Sequence, residues 1–550
     1  MSDTAIQKLA VIGLDGATFD LINPWIEAGD LPTFERLLSQ SAFGRLRSTI
    51  HPLSPQAWST FMTGMNAGKH GLFDFLVKKP GTYQFALTHG GARRGASLWR
   101  MLSEADRRVI VANVPFTYPP EPVNGAMISG FDAPRADETL CYPSDLYQQI
   151  TTAVGDYYLH NMYPVGYGKA EYGAVLESEV ENRLQVTHYF LDQYEWDFYM
   201  IVVNATDLVQ HLFWAEMENP ESPYRDEIRR VYQRVDSALG EVWSRLGPET
   251  TLLVMSDHGA GPIEKSFYLN EWLRQQGWLA YQEQTLGTAQ RVASGWIDIG
   301  RQALKRHLPR STKDWLKQTV PGFRNRVESW IQTSKIDWSR TRAFAGGKFG
   351  DIYLNLRERE PEGTVEAGGE RERLVAEITG ALLALQDPTS GQRVVEQVHA
   401  RENLYQGPFV DRAPDLIIQW RDYAYFAASE LEGTAGDVFG PPPVEDATDF
   451  RHTGTHRMDG ILLICGPGIQ PGRIEGARIA DLAPTILHGF GLPVPHDMDG
   501  KVLQSVFREP RPVSLAPSHT TDEQEQSRSA YSEAEESEMA ERLRALGYLD

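Results

Sequence analysis

The stretch Thr251-Leu-Leu-Val-Met-Ser-Asp-His-Gly259 constrains the fold of this chain more than any other. Five apolar or β-branched residues closed by a glycine read as a strand buried on both faces, which is the signature of a parallel sheet. The adjacent Asp257 and His258 then project from the carboxyl end of that strand, where open α/β sheets build their sites. Alone, Asp-His-Gly also makes an ordinary capped turn. The reading turns on whether other strands end in the same way.

They do. Leu9–Leu14 runs into Asp15, Arg108–Ala112 into Asn113 and Phe198–Val203 into Asn204, and Gly460–Cys465 is a further run. Helical patterns lie between, the first near residues 18–28. Strands alternating with helices predict an α/β fold with a mostly parallel central sheet and helices on both faces. Right-handed crossovers then bring all strand carboxyl ends to one edge. Residues 1–508 are expected to form this body, interrupted at about 270–345 by a helical, basic cap. The tryptophans of the cap, Trp272, Trp278, Trp296, Trp315, Trp330 and Trp338, are expected to form its own core. Residues 509–531 read as a flexible linker rich in Pro, Ser, Thr and Glu. A capping box, Ser532-Glu-Ala-Glu535, opens a C-terminal amphipathic helix within 532–550, with Met539, Leu543 and Leu546 on one face. That face is expected to dock on the body or to support a homodimer.

The net charge of −21 excludes a general binder of nucleic-acid polymers. The balance reverses locally between residues 291 and 342, where twelve Lys and Arg face Asp298, Asp314, Glu328 and Asp337. No run approaches the roughly 20 apolar residues that span a bilayer. The amino terminus lacks the pattern of a signal peptide, and Cys141 and Cys465 have no metal-type spacing. A cytoplasmic location with both thiols reduced is the expectation.

Asp15 repeats the strand-then-acid arrangement of Asp257, although a helix N-cap would look the same. Asp207 and His211, four residues apart, share one face of a starting helix and can chelate one ion. His452 and His456 precede the Gly460–Cys465 run, and His456 is the better third ligand, with His452 outside it. The chain thus offers two sets of three donors, each with an open position as a catalytic zinc site requires. Ser54, ahead of Pro55 at a helix start, supplies a hydroxyl in the positive potential of a helix N-terminus.

In this order, and at these strand ends, the motifs resemble the alkaline phosphatase superfamily. The closest branch is the type I phosphodiesterase/nucleotide pyrophosphatases with the related bacterial phosphohydrolase or phosphomutase proteins. In that pattern the nucleophile stands ten residues before the glycine of Thr63-Gly64, which selects Ser54, and Lys69-His-Gly71 follows. The resemblance implies two divalent ions, zinc with manganese as the alternative. Asp15, Ser54, Asp257 and His258 would hold one, and Asp207, His211 and His456 the other. It further implies attack by Ser54 on phosphorus and hydrolysis of the phosphoseryl intermediate, with a small phosphorylated substrate. His70, Lys348 and His452 are candidates for substrate contact or for support of the ligands.

The departures narrow the reading. Sulfatases need a Cys/Ser-x-Pro-x-Arg signature, whereas Ser54-Pro-Gln-Ala-Trp58 shifts the proline and lacks the arginine. The asparagine that follows the nucleophile in nucleotide-specific relatives has no counterpart here. That departure does not favour a nucleotide substrate; a phosphodiester is expected ahead of a monoester. Transfer to another acceptor is the alternative, and a binding protein without activity is disfavoured by the intact donor set.

Overall fold

The computed structural model describes residues 6–159, 167–282, 335–428, 437–442, 452–518 and 531–545. Seven strands carry the central sheet: β1 (Lys8–Leu14), β2 (Ala42–Arg47), β3 (Val109–Val114), β4 (Gly125–Ser129), β5 (Phe198–Val203), β6 (Thr250–Met255) and β7 (Asp459–Cys465). In space they run β2-β7-β6-β1-β5-β3-β4, with two-residue strands beyond each edge. From β6 to β4 all neighbours are parallel, whereas β7 is antiparallel to both β6 and β2. The fold is thus α/β with a mostly parallel sheet.

Alternation along the strands explains why so many read as unbroken apolar runs. Leu9 and Val11 of β1 face one cluster with Met200, Leu253 and Leu462. Ala10, Ile12 and Leu14 face the other, with Ile201, Val254 and Leu463. Helices Ser54–Thr63 and Leu482–Gly489 cover the first face through Trp58, Phe61 and Ile486. Helices Lys169–Gln193 and Glu227–Arg245 cover the second through Val180, Leu184, Val235 and Leu239. With both faces covered, the charged and amide side chains of β1, β3, β5 and β6 fall at or beside the strand ends.

β7 departs from the expectation that every strand ends at the same edge. Gly454–Arg457 pairs antiparallel with Gly259–Pro262, which leaves β6 at that edge, so the chain enters β7 there instead of finishing there. Because β2 is antiparallel to β7, it runs with β6. Its carboxyl end therefore delivers residues 48–54 to the same edge.

The cap needs a larger correction. Trp272 and Trp278 are buried with ring centroids 5.5 Å apart, but they belong to the main core rather than to a private one, and Trp338 stacks on Tyr83 at 3.5 Å. Residues 283–334, with Trp296, Trp315, Trp330 and most of the basic run, lie outside the described residues. From Ala343 the chain is strand rather than helix. Ala343–Gly346, Asp351–Leu354, Leu416–Trp420 and Val395–Ala400 form a four-stranded antiparallel sheet, joined in its core by Leu374, Ile378 and Leu382 of helix Gly369–Leu383. Phe344 and Tyr353 stack across two of its strands at 5.5 Å, a pairing that favours strand over helix. Residues 343–428 thus build an accessory lobe that hydrophobic periodicity did not announce.

The carboxyl terminus is also more ordered than expected. Leu515–Ala516, inside the expected linker, pairs with Val494–Pro495, while 519–530 and 546–550 lie outside the described residues. Ser532 and Glu535 exchange backbone–side-chain hydrogen bonds of 2.8 and 3.4 Å, and the helix Glu533–Ala545 follows. Tyr531, Met539 and Leu543 are buried in the main core, and Tyr531 donates to the Asp132 carbonyl at 2.5 Å. The apolar face that suggested a dimer is therefore occupied by the body itself. Leu543→Ala is expected to lower unfolding free energy by about 2 kcal/mol in urea titration, the low end for a buried leucine because the helix lies at the periphery.

Candidate functional site

Three carboxylates meet where β1, β5 and β6 end. Asp15 follows β1, Asp257 follows β6, and Asp207 lies in the first turn of the helix Ala205–Glu218 that follows β5. All three are buried. The approach leaves no room for a side chain at Gly16, whose added Cβ would stand 2.7 Å from Asp207 Oδ1. His211, one helical turn beyond Asp207, places Nε2 3.3 Å from Asp207 Oδ2. His258 Nε2 stands 3.4 Å from Asp257 Oδ2 and 3.6 Å from Asp15 Oδ1. His456, at the reversed end of the sheet, reaches Asp207 Oδ1 at 3.7 Å and stacks on His258 with ring centroids 3.7 Å apart.

The imidazoles are oriented by the backbone. Nδ1 of His211, His258 and His456 contacts the carbonyls of Gly454, Gly259 and Pro52 at 2.9, 2.9 and 2.6 Å. A carbonyl only accepts, so each Nδ1 carries a proton and the neutral ring turns the lone pair of Nε2 toward the carboxylates. Nε2 of His211 and Nε2 of His456 are 3.0 Å apart. Two lone pairs at that distance repel, and the contact requires a positive charge between them, a proton or a metal ion.

Electrostatics point the same way. Burial, and then the charges of Asp257 and Asp207, push Asp15 well above the usual carboxylate range. Burial pushes Asp257 up to about 7, with Asp207 adding to the rise and the hydrogen bond to Asp15 opposing it. Burial also works against ionisation of Asp207, yet His211, His456 and His258 hold its carboxyl well below that range. His456 is held well below the ordinary imidazole value by burial and by His258. Asp15 Oδ1, Asp257 Oδ2 and His258 Nε2 are buried without a hydrogen-bond partner. Donors from Asp15, Asp257 and His258, and from Asp207, His258 and His456, lie within 4.8 Å of one another in each group. Nitrogen and carboxylate donors so arranged fit divalent metal ions of zinc type. His258 belongs to both groups, so the geometry joins what the sequence had divided into two sets.

Ser54 is fully buried at the start of helix Ser54–Thr63. It does not cap that helix, because Leu53 is the N-cap and Ser54 the first helical residue. Among the described residues its Oγ has no hydrogen-bond partner, so a capping role is not used. Two residues earlier, the Pro52 carbonyl receives the His456 proton, which ties the serine turn to the imidazoles.

The remaining predicted residues separate. His70 is spent within the protein: Nδ1 accepts from Leu72 N–H at 3.2 Å and Nε2 faces Thr60 Oγ1 at 3.1 Å. It braces the serine helix and has no ring nitrogen left for a substrate. His452 lies outside His211, ring centroids 5.7 Å apart. Lys348 is half-buried with Nζ 4.6 Å from the Phe426 ring centroid, in a turn whose Phe349 packs 6.3 Å from His456.

Two asparagines were missed. Asn204 donates to Asp15 Oδ2 at 2.8 Å, and Asn113 donates to Asn204 Oδ1 at 2.7 Å. Both stand at strand ends on the site edge, the signal that selected the acids. Asn204→Ala is expected to weaken zinc or manganese affinity roughly 10–100-fold in calorimetric titration. His70 carries a separate pH signature, since burial and then Arg93 lower it from 6.5 to about 3. Below pH 6.5 the unfolded chain takes up a proton that the folded one refuses until about pH 3, so stability falls on acidification, by about 2 kcal/mol at pH 5. His70→Gln should flatten that part of a stability–pH curve measured by denaturant unfolding.

The family model for type I phosphodiesterase / nucleotide pyrophosphatase matches residues 9–459. No curated protein matches the chain in sequence. Among solved structures, phosphonoacetate hydrolase from Sinorhizobium meliloti 1021, in complex with phosphonoformate, is similar with a TM-score of 0.53 at 14% identity, over 89% of this chain and 96% of that one. Its complex with phosphonoacetate gives a TM-score of 0.50 at the same identity and coverage. Human ectonucleotide pyrophosphatase/phosphodiesterase 5 is similar at 0.47 and 14% identity, over 92% of this chain and 100% of that one. The matched span takes in β1 through the start of β7 and every predicted ligand, and the chain belongs to the type I phosphodiesterase/nucleotide pyrophosphatase family of the alkaline phosphatase superfamily, hydrolases acting on phosphate esters.

Proposed function

We propose that this chain is a divalent-metal-dependent phosphohydrolase that cleaves a phosphodiester through a phosphoseryl intermediate on Ser54. The observation that carries the reading is the Ser54 hydroxyl: buried, unbonded, and at the sheet edge where the carboxylates and imidazoles meet. Asp15, Asp257 and His258 with Ser54, and Asp207, His211 and His456, would hold two ions, most simply zinc, sharing the space around His258. Ions bound there supply Lewis acidity, lowering the pKa of the serine hydroxyl and polarising the phosphoryl oxygens.

The chain's own groups do the rest. Ser54 Oγ bonds to phosphorus as one alcohol departs in line and takes up a proton, the serine proton passing to solvent, and water later cleaves the seryl–phosphorus bond to release a phosphate monoester. Among the described residues no side chain accepts a hydrogen bond from Oγ. The amino end of the serine helix faces the reacting group with its positive potential, and the Gln56 N–H, the first after Pro55, is the candidate donor to a phosphoryl oxygen. Asn204 and the three backbone carbonyls keep the donors aimed while charge changes on the substrate. The diester preference is supported by the family match, and a small phosphorylated molecule is the substrate class.

Ser54→Ala should reduce turnover of bis-p-nitrophenyl phosphate by roughly 10³-fold or more, measured as nitrophenolate release. A chelator should remove activity that zinc or manganese restores. kcat/KM for bis-p-nitrophenyl phosphate should exceed that for p-nitrophenyl phosphate, and the reverse order would make the enzyme a monoesterase.

A further inference from the structure

The turn between β2 and the serine helix is held from outside the central sheet. Three consecutive residues, Ile50, His51 and Pro52, are each tied to a partner more than 290 positions away. The Ile50 carbonyl accepts from the Tyr405 hydroxyl at 2.7 Å and from Gln56 Nε2 at 3.1 Å. His51 Nε2 lies 2.7 Å from Asp351 Oδ1, and its Nδ1 lies 3.2 Å from the Tyr423 hydroxyl. A carboxylate only accepts, so Nε2 carries the ring proton and Tyr423 donates to Nδ1. Every one of these side chains is buried. Asp351, Tyr405 and Tyr423 all belong to the accessory lobe.

Two further observations mark the contact as more than packing. Tyr423 has a φ of 51°, following Asp422 at the same angle, a left-handed conformation that bulky residues rarely adopt. Strain of this kind persists where the surroundings over-determine it, and it concentrates at functional sites. Phe349, on the turn of the same lobe, fills the space between the two systems. Its ring centroid is 5.1 Å from His51, 4.9 Å from Tyr423 and 6.3 Å from His456. The lobe thus touches the serine turn and a metal-site imidazole at once.

We infer that Asp351, acting through His51, is a positioning residue for Ser54: the accessory lobe sets where the nucleophile stands. The inference rests on the reading of Ser54 as nucleophile. None of Asp351, His51 and Tyr423 touches substrate in this scheme, and each acts on the turn that carries the hydroxyl. Displacing a reacting atom by about 1 Å can cost on the order of 10²-fold in rate, which sets the scale of the effect.

The test uses the full-length, metal-loaded protein and the variants Asp351→Ala, Asp351→Asn and Tyr423→Phe, with bis-p-nitrophenyl phosphate as substrate. Asp351→Ala should lower kcat roughly 10–100-fold with KM and bound metal unchanged. Asp351→Asn, which keeps an oxygen acceptor for His51, should recover most of the loss. Wild-type kcat in Asp351→Ala would overturn the inference. So would a loss that follows the folded fraction, with kcat per burst-titrated site intact, because that is the mark of a structural role. If Asp351→Ala does not fold, Tyr423→Phe carries the test, with a fall in kcat at constant KM expected and wild-type kcat overturning it. Full activity in Ser54→Ala sinks the nucleophile itself. An inactive Ser54→Ala beside fully active lobe variants sinks only the positioning.

Discussion

Three buried carboxylates share one edge of the sheet, and the rest of the site is arranged around their mutual repulsion. In water such charges would be screened; here burial raises Asp15 and Asp257 and makes positive charge a condition of the fold's local geometry. The imidazoles answer it in part, held against Asp207 with their Nδ1 atoms on backbone carbonyls. The chain thus gathers carboxylates and imidazole nitrogens into an arrangement that could hold a cation. A phosphate ester, itself an anion, would be drawn to that edge by such a cation.

Holding like charges together demands rigidity, and the chain draws it from the sheet. β1, β5 and β6 are adjacent and parallel, so their ends present Asp15, Asn204 and Asp257 side by side without any loop having to find its place. The Asn113–Asn204–Asp15 hydrogen bonds continue the line into β3. His456 stands just ahead of β7, the one strand of the seven that runs against the others, and this reversal lets a residue that precedes its strand meet residues that follow theirs.

That regularity explains what was legible in the sequence. Asp15, Asp207, His211, Asp257 and His258 each sit at or just beyond an apolar run, so strand reading and ligand reading were one act. Ser54 was found through its helix start, although it turned out to be the first helical residue rather than the cap. The direction of β7 was hidden because a buried strand has no arrow in its composition. The accessory lobe was hidden for a different reason. Its strands are short and depend on cross-strand pairs such as Phe344 with Tyr353, which neighbours in sequence cannot reveal. His51 and Asp351 were missed on the same ground, being 300 residues apart and meaningful only as a pair.

On the proposed reading the lobe would also link reactivity to choice of substrate. Its turn places Phe349 against His51 and His456, and the preceding residue, Lys348, lies over Phe426 of the same lobe. A leaving group bound by that rim would press on the element that holds the serine turn. Substrate recognition and nucleophile placement would then share one set of contacts, so that binding energy gained far from phosphorus is available to align the attack. A sheet edge crowded with fixed charges leaves little freedom to vary the chemistry. Variation would be left to the lobe, which meets the edge through hydrogen bonds and the rings of Phe349 and Tyr423.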